Sequence, residues 1–462
     1  MKSFFLETIK GTFFLTFWNT ANKFVGFINS FAIIYILSVY EYGLYVLVLS
    51  VVSMAEVALT ESTDQLMATE ILMSKGRGDD ERAKKIYQEY FLVKTLLTIL
   101  TFAVLFLGAG FIVRQFFNKS IVLFVKLASF LVLTSGLSDC LNIHIKVEKK
   151  FSQMGSFVLV KELVKLAALL IIVFYFKAGI AKVIFTMILA DWAGIAALIA
   201  YNSRDLRVWF KGFRFNFKNL IVWQIIKAHG KWNIFSSSVA KLQKNLRPWL
   251  VQIFINTEAV AIYNFGKNLY LHLESFLPVQ KVIYQLLPEI NRQQERLKRV
   301  FIYGGKYISL ILILINLAGL MIVPYFIILV FPKYLASIPV FLIFLAAPFS
   351  YFGLSQVASS ILFSLRQQKY LAYTQGLATF SLIIFSSLFL PVFGVYGMAL
   401  EKVATMFITA LLVCFKTARL LNLKLTAVFE FFRFTSYDAL ILKNLADKTY
   451  NKLLRVLKIR KV

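Results

Sequence analysis

The sequence predicts an all-α polytopic membrane protein with about twelve transmembrane helices, arranged as two six-helix lobes around a central cavity. Three observations lead to this prediction. The 462 residues are 59% hydrophobic with a mean hydropathy of +0.73, well above the values of soluble domains. Apolar stretches of the roughly 20 residues needed to cross a bilayer recur throughout the chain. Local features of the first half return about 218 positions later.

The predicted membrane spans follow one another with short loops between them. They cover residues 12–37, 43–73, 91–113, 121–143, 153–176, 180–202, 232–255, 259–290, 304–331, 339–363, 372–391 and 396–415. The second and eighth spans exceed the bilayer thickness, which predicts that they tilt or project into the cytoplasm. The first span follows Lys10 and lacks a convincing cleavage site, so we expect a retained first helix and not a signal peptide.

Basic residues in the predicted loops orient the chain. With the N-terminus inside, the cytoplasmic segments hold 35 lysines and arginines, whereas the outside loops hold five. Because an excess of basic residues marks the cytoplasmic side, both termini are predicted to be cytoplasmic. These loops and their contact with anionic headgroups account for the net charge of +28. We therefore expect a bilayer with an anionic inner leaflet as a partner, and no nucleic acid.

An internal duplication is predicted from matches at nearly constant spacing. A shift of 218 positions places Lys23 on Lys241 and Tyr45 on Tyr263. Six spans in each half make the repeat parallel, with its axis along the membrane normal. Two lobes that face each other would enclose a central cavity, where intramembrane charge is tolerated.

The predicted domains follow from this repeat. An N-terminal lobe covers residues 1–202, a basic cytoplasmic linker covers 203–231, and a C-terminal lobe covers 232–416. Residues 417–462 form a basic cytoplasmic tail in which leucines are interspersed with lysines and arginines. That mixture is typical of an amphipathic helix lying on an anionic membrane surface. A solvated tail is the alternative.

Basic residues within the predicted spans are the main indication of function. There are eleven of them: Lys23, Lys94, Lys126, Lys161, Lys165, Lys241, Lys244, Arg247, Lys267, Lys281 and Lys402. A basic residue at the centre of a lipid-facing helix costs about 3 kcal/mol, so most should lie near an interface or in a polar interior. Lys241, Lys244 and Arg247 recur every third residue and share one sector of their helix. A cationic interior indicates an anionic cargo.

A subset of these cations is predicted to bind substrate in the cavity. The subset is Lys23, Lys161, Lys165, Lys241, Lys244, Arg247 and Lys267. The alternative for each single lysine is a side chain that extends to the membrane interface. We expect that alternative for Lys281 and Lys402.

Acidic residues in the spans are fewer, and two of them are candidates for ion coupling. Glu56 and Asp64 lie two turns apart in the second span, where an acid could bind and release protons. The alternative is structural pairing with the intramembrane lysines. Cys140 and Cys414 lie in apolar spans and the histidines lack ligand-like spacing, so no metal site and no cofactor are expected. Common enzymatic motifs do not occur, so no catalytic residue is predicted.

Three short runs of residues give the chain a family resemblance. The run ILSVYEYGLY at 36–45 resembles the turn after the first helix of bacterial oligosaccharide flippases (polysaccharide transporters) of the MATE-like superfamily. The run EAVAIYN at 258–264 resembles the opening of that family's eighth helix, and GVYGMA at 394–399 resembles the opening of its twelfth. The similarity covers about residues 5–416.

The resemblance implies a flippase that works by alternating access. Such a protein moves an undecaprenyl-pyrophosphate-linked oligosaccharide from the inner to the outer leaflet of the bacterial cytoplasmic membrane. The product feeds the assembly of O-antigen, capsule or exopolysaccharide. The cavity cations would bind the pyrophosphate and any acidic sugars of this lipid-linked anionic oligosaccharide. A polysaccharide polymerase and chain-length proteins are the implied protein partners.

Two alternatives remain open at this point. A multidrug or toxin exporter of the same superfamily would share the fold. Its cation-coupled members often place a carboxylate in the first helix, whereas the first span here has Lys23 and no acid. A membrane-embedded glycosyltransferase or polymerase would need catalytic carboxylates or a sizeable outside loop, and the sequence indicates neither.

Overall fold

The computed structural model describes residues 2–58, 61–116, 121–148, 150–176, 179–210, 220–275, 293–347, 352–365 and 367–423. These residues form helices and short turns, with no strand among them, so the prediction of an all-α protein is confirmed. Six helical segments within these ranges are long and apolar enough to cross a membrane: 80–115, 122–147, 180–203, 294–330, 368–393 and 395–420. The chain is therefore a multi-pass membrane protein.

The described residues up to position 210 form the first set of helices. These are α1 (Lys2–Ile36), α2 (Val39–Ala55), α3 (Glu61–Gly76), α4 (Asp80–Phe116), α5 (Val122–Val147), α6 (Phe151–Tyr175) and α7 (Ile180–Phe210). A short 3-10 turn, Glu56–Ala58, follows α2 directly.

The described residues from position 220 onward form the second set. These are α8 (Ile221–Ile225), a π-helical turn (Ile226–Gly230), α9 (Lys231–Phe254), α10 (Thr257–Ser275), α11 (Gln294–Arg299), a second π-helical turn (Val300–Gly304), α12 (Gly305–Val330), α13 (Ser337–Phe344), α14 (Phe352–Ser364), α15 (Gln368–Phe393) and α16 (Val395–Leu420). A 3-10 turn, Pro332–Tyr334, lies between α12 and α13.

The pairs of helices that pack together recur along the chain. In the first set α1 packs on α6, α6 on α7, α5 on α7 and α4 on α5. In the second set α9 packs on α15, α15 on α16, α14 on α16 and α12 on α14. Each helix of the second series lies about 218 positions after its counterpart in the first. The two sets are joined largely through α2, which packs on both α9 and α10.

Contacts at the start of α2 explain three residues of the run 36–45, which are Ser38, Glu41 and Gly43. Ser38 Oγ accepts a hydrogen bond from the Glu41 N–H at 3.2 Å, and Glu41 Oε2 accepts one from the Ser38 N–H at 2.9 Å. This reciprocal capping box fixes the helix start. At Gly43 a Cβ would lie 2.1 Å from the carbonyl oxygen of Thr257. The small residue is therefore needed for the close approach of α2 and α10.

The predicted span 43–73 is wrong as a single helix. It divides into α2 and α3, with the 3-10 turn after Ala55. At the end of α2, the Glu56 carbonyl oxygen accepts a hydrogen bond from Lys241 Nζ at 3.2 Å. The last carbonyls of a helix lack partners within it, so this side-chain bond stabilises an end of the helix here.

The predicted span 339–363 is also wrong as a single helix. It divides into α13, which ends at Phe344, and α14, which begins at Phe352. Pro348 lies between them, outside the described residues. Proline disfavours the helical conformation of the residue before it, which is consistent with a break here.

Other predicted boundaries also differ. The segment 203–231, predicted as a linker, begins and ends in helix, because α7 extends to Phe210 and α8 begins at Ile221. The end of the predicted eighth span, together with Lys281, lies outside the described residues. So do the last 39 positions of the predicted tail, which follow Leu423.

Candidate functional site

Two adjoining cavities lie among the helices, and two lysines line both of them. The cationic cavity has a volume of about 440 Å³ and is lined by α9, α10, α13, α15 and α16. The polar cavity has a volume of about 310 Å³ and is lined by α1, α2, α6, α9 and α10. Lys244 of α9 and Lys267 of α10 contribute to both linings, so the cavities meet at this pair.

Basic side chains dominate the charge of the cationic cavity. Those that line it are Lys244, Arg247, Lys267 and Lys402. Among the described lining residues Glu274 is the one acid, and Gln356 Nε2 donates a hydrogen bond to its carboxylate at 3.2 Å. The lining therefore carries an excess of positive charge.

Two further donors in this wall have no hydrogen-bond partner among the described residues. They are Gln243 Nε2 and Tyr263 Oη, on side chains that are 7% and 0% exposed. Buried polar groups are normally hydrogen-bonded, so these two donors are exceptions in the wall of the cavity. Lys267 Nζ lies 5.6 Å from the centre of the Tyr263 ring.

The polar cavity is lined by hydroxyl and amide groups. Asn268 Nδ2 donates to Tyr42 Oη at 3.3 Å, and Asn264 Oδ1 has no partner among the described residues. Lys165 of α6 contributes a cation to the same lining. Because amides and hydroxyls both donate and accept hydrogen bonds, such a wall suits polyhydroxylated groups.

One face of α9 is hydrogen-bonded to α2. Lys241, Asn245 and Trp249 recur every four residues, which places them on the same side of α9. Their partners, in the same order, are Glu56 Oε2 at 3.2 Å, Ser53 Oγ at 2.9 Å and Ser50 Oγ at 2.7 Å. This row orients α9 and turns Lys244, which lies outside it, toward the cavities.

Some of the cations predicted from the sequence are neutralised by carboxylates. Arg247 forms a two-point ion pair with Glu401, with Nε–Oε2 and Nη2–Oε1 distances of 2.9 and 3.2 Å. Lys161 forms an ion pair with Asp191, which also accepts a hydrogen bond from Thr134 Oγ1 at 2.9 Å. Lys241 is paired with Glu56, as described above. Of these paired cations, Arg247 lines the cationic cavity, and the ion pairs of Lys161 and Lys241 join helices outside the two linings.

Other cations take part in no ion pair among the described residues. Lys126 is one of them, and its Nζ lies 5.4 Å from the centre of the Phe106 ring, away from both cavities. The others are Lys165, Lys244, Lys267 and Lys402. These four lysines line a cavity. A lysine presents three donors and no acceptor, so the cluster is suited to an anion that forms charge-assisted hydrogen bonds.

Three predicted cations lie elsewhere. Lys23 is exposed on α1, and Lys23, Lys161 and Lys241 line neither of the two cavities. Of the predicted cations, Lys165, Lys244, Arg247 and Lys267 line a cavity, whereas the repeat-related pair Lys23 and Lys241 does not meet there. Substrate binding by these residues stays a prediction.

The two acids considered for ion coupling are both hydrogen-bonded. Asp64 is 3% exposed, accepts hydrogen bonds from Tyr90 and Lys94, and lies 2.6 Å from Lys94 Nζ. Glu56 accepts a hydrogen bond from Ser135 Oγ at 2.7 Å in addition to its bond with Lys241. Structural pairing accounts for this geometry, and a role in ion coupling stays a prediction.

The position of Lys402 differs from the one expected from the sequence. We expected its side chain to extend to an interface, but it lines the cationic cavity together with Thr405 and Thr409. These three residues follow helical spacing on one face of α16, and that polar stripe is the signal that could have identified Lys402.

Comparisons with known proteins agree with the fold. The model of the family described as polysaccharide biosynthesis protein matches residues 8–284. Comparison with curated protein sequences gives no match. The structure is similar to the lipid II flippase MurJ in an inward closed conformation, with a TM-score of 0.70, 12% identity, and coverage of 95% of this chain and 99% of that one.

Two multidrug transporters are also similar in structure. An inward-facing MATE family transporter of the MOP superfamily has a TM-score of 0.68 and 12% identity, covering 88% of this chain and 94% of that one. A point mutant of the Vibrio cholerae MATE transporter VcmN has a TM-score of 0.62 and 16% identity, covering 93% and 99%. At these identities the likeness shows that the chain shares the fold of these proteins. Because the family model matches more than half of this chain, the chain belongs to the polysaccharide biosynthesis protein family.

Proposed function

We propose that this protein is a flippase for an undecaprenyl-pyrophosphate-linked oligosaccharide, which it moves from the inner to the outer leaflet of the cytoplasmic membrane. The observation that carries the proposal is the group of Lys244, Lys267 and Lys402, which line one cavity without an ion pair among the described residues. Family membership supports the link to polysaccharide assembly, and the fold supports a transporter.

The chemistry of the cavity supports an anionic cargo. A diphosphate that leaves water loses its hydration and needs replacement donors of opposite charge. The three lysines supply such a set. Gln243 and Tyr263, whose buried donors have no partner among the described residues, lie in the same wall. The adjoining polar cavity, with Tyr42, Asn264 and Asn268, would hold the sugars nearest the diphosphate.

We propose that transport proceeds by alternating access between two six-helix lobes, 1–202 and 232–416, with both termini in the cytoplasm. The recurrence of the same helix pairs about 218 positions apart supports two equivalent lobes. The contacts of α2 with α9 and α10 would then be the interface that opens and closes. Glu56, which lies in this interface, is the acid that we propose for coupling to protons, with Asp64 as the second candidate.

Multidrug export is the second candidate function, because MATE transporters share the fold. Cationic drugs would meet Lys244, Lys267 and Lys402 at the cationic cavity, and like charges repel within a site of low dielectric constant. An oligosaccharide diphosphate fits this charge better than a cationic drug does.

A reconstituted flipping assay tests the proposal. Proteoliposomes would carry a fluorescent undecaprenyl-diphosphate disaccharide, and a membrane-impermeant reductant would bleach the label in the outer leaflet. We expect Lys244→Gln, Lys267→Gln and Lys402→Gln each to slow flipping about tenfold or more, since a hydrogen bond to a charged group contributes about 1.5–3 kcal/mol.

Lys231→Gln is the matched control, because Lys231 is exposed at the start of α9 and lines neither cavity. It should flip the lipid within twofold of the wild-type rate. A triple variant of the three cavity lysines that flips the lipid at the wild-type rate would overturn the proposal. Export of a cationic dye by the wild type, with no flipping of the diphosphate lipid, would favour the multidrug function.

A further inference from the structure

Two apolar grooves lie on the outside of the helices, at a distance from the central cavities. The first groove, between α5, α6 and α7, has a volume of about 500 Å³ and includes Ile171, Phe185 and Leu189 in its lining. The second groove, between α15, α16 and the turn after α13, has a volume of about 620 Å³ and includes Phe389 and Phe407.

The two grooves correspond residue by residue. Five lining positions of the first groove recur in the second after a shift of 218 positions: 171 and 389, 182 and 400, 185 and 403, 186 and 404, and 189 and 407. The same shift relates the helix pairs that form them, α6 with α7 and α15 with α16. The groove is therefore a feature of the repeated unit and not an accident of one surface.

Both grooves face away from the packed interior. In the first, Ile171 is 52% exposed and Phe185 is 58% exposed. In the second, Phe393 is 49% exposed and Phe407 is 41% exposed. In a chain that spans a membrane, exposed apolar concavities of this kind meet hydrocarbon chains and not water.

The grooves differ at one decisive position. Lys182 lines the first, where its ammonium lies 5.4 Å from the centre of the Phe176 ring. The equivalent position in the second groove is Leu400. Lys182 is the third residue of α7, so it lies at the end of a membrane-crossing segment, at the level where lipid headgroups are found.

We propose that the first groove is a binding site for an anionic phospholipid. One hydrocarbon chain of the lipid lies along Ile171, Phe185 and Leu189, and its phosphate pairs with Lys182. The second groove binds a hydrocarbon chain without preference for the charge of the headgroup. In the proposed topology both sites open to the outer leaflet. This lipid is a bound component of the protein and not the transported cargo.

Native mass spectrometry of the full chain tests the proposal. The protein would be released from nanodiscs that contain equal amounts of phosphatidylglycerol and phosphatidylcholine, and the ratio of the two bound lipids would be measured. A lysine near a membrane surface contributes a preference for anionic lipid of about fivefold. We expect Lys182→Leu to lose one bound phosphatidylglycerol per protein, and Lys182→Arg to retain it.

The second groove provides a reciprocal variant. Leu400→Lys gives the second groove the positive charge that the first groove has, so this variant should retain one additional phosphatidylglycerol. Because this variant gains a bound lipid, the expected result cannot be produced by poor folding. An unchanged lipid ratio in both Lys182→Leu and Leu400→Lys would overturn the proposal. Equal loss of both lipids in Lys182→Leu would contradict the selectivity for anionic headgroups.

Discussion

Arg247 and Glu401 face each other across α9 and α16 and are joined by two hydrogen bonds of 2.9 and 3.2 Å. Their side chains are 6% and 0% exposed, and Thr405 Oγ1 donates a third bond to the same carboxylate at 2.8 Å. Because the Glu401 carboxylate accepts three hydrogen bonds, the ion pair is neutral overall and stable inside the protein. Arg247 therefore fixes the wall of the cationic cavity, and the lysines beside it provide the free positive charge.

Breaking this pair should be costly. Arg247→Met leaves the Glu401 carboxylate buried without its cation, which typically costs about 3–5 kcal/mol. Glu401→Met should have a similar effect. The double variant removes both charges, so it should regain most of the stability that either single variant loses. The unfolding midpoint in detergent, measured for the wild type and the three variants, checks this. If the midpoint of the double variant fell by the sum of the two single shifts, the buried ion pair would not account for the loss of stability.

Two lysines one turn apart on α6 should respond differently. Lys161 is paired with Asp191, whereas Lys165 lines the polar cavity without an ion pair among the described residues. Lys165→Gln should slow flipping of the labelled lipid about tenfold and leave the unfolding midpoint within about 2 °C, since an unpaired cation contributes little to stability.

Lys161→Gln serves as the companion variant, because it leaves Asp191 without its cation. It should lower the unfolding midpoint more than it lowers the flipping rate per folded protein. Both readouts come from the same purified samples. If the two variants changed stability and flipping in the same proportion, the distinction between a residue in a structural ion pair and a residue that binds the ligand would fail.

The fold class and part of the site follow from the sequence because they depend on local patterns. Apolar length predicts the six described segments that are long and apolar enough to cross a membrane. The cost of charge in lipid points to Lys165, Lys244, Arg247 and Lys267, which line a cavity. The role of Lys402 does not follow in this way. Whether it faces lipid or the cavity depends on the rotation of α16 against α9 and α10, and helix rotation is set by tertiary packing.

The helix break at Glu56 depends on the same kind of long-range contact. Its partner Lys241 lies 185 positions away in the sequence, so no local pattern in 43–73 predicts the interruption. Likewise, the neutralising carboxylates of Arg247 and Lys161 are supplied by distant helices. The sequence shows which charges lie within apolar spans, and only the packed structure shows which of them are buried and which are paired.

The close approach of α2 and α10 leads to a test of Gly43. In Gly43→Ala the new Cβ would lie 2.1 Å from the Thr257 carbonyl oxygen, so the helices must move apart. Overpacking of this kind costs about 1–3 kcal/mol. We expect a lower unfolding midpoint and a lower yield of folded protein. Gly110→Ala on α4 is the matched control, because a Cβ there meets nothing within 4 Å. Equal midpoints for both variants would refute the packing argument.

Lys333 connects the turn after α12 to the end of α1. Its Nζ donates hydrogen bonds to the carbonyl oxygens of Tyr35 at 3.2 Å and Leu37 at 2.7 Å. The last carbonyls of a helix lack backbone partners and carry partial negative charge, so a cation there is favourable. In the proposed topology this contact lies on the outer side and joins the two lobes. It should therefore stabilise the state in which that side is closed.

Removing the Lys333 contact should shift the protein toward the open state. Lys333→Met forfeits two charge-assisted hydrogen bonds, and a loss of about 1.5 kcal/mol changes the ratio of the states about tenfold. A cysteine introduced at Asn268, in the polar cavity, reports this shift through its rate of labelling by an impermeant maleimide added from outside. The native Cys140 and Cys414 are buried, which keeps the background low.

We expect labelling about tenfold faster with Lys333→Met and little change with Lys333→Arg, which retains the charge and the donors. Arg114→Gln is the control for an exposed basic residue on the same side of the proposed topology, at the end of α4, and it should leave the labelling rate unchanged. Equal labelling rates with and without the Lys333 side chain would show that the contact caps α1 without holding the lobes together.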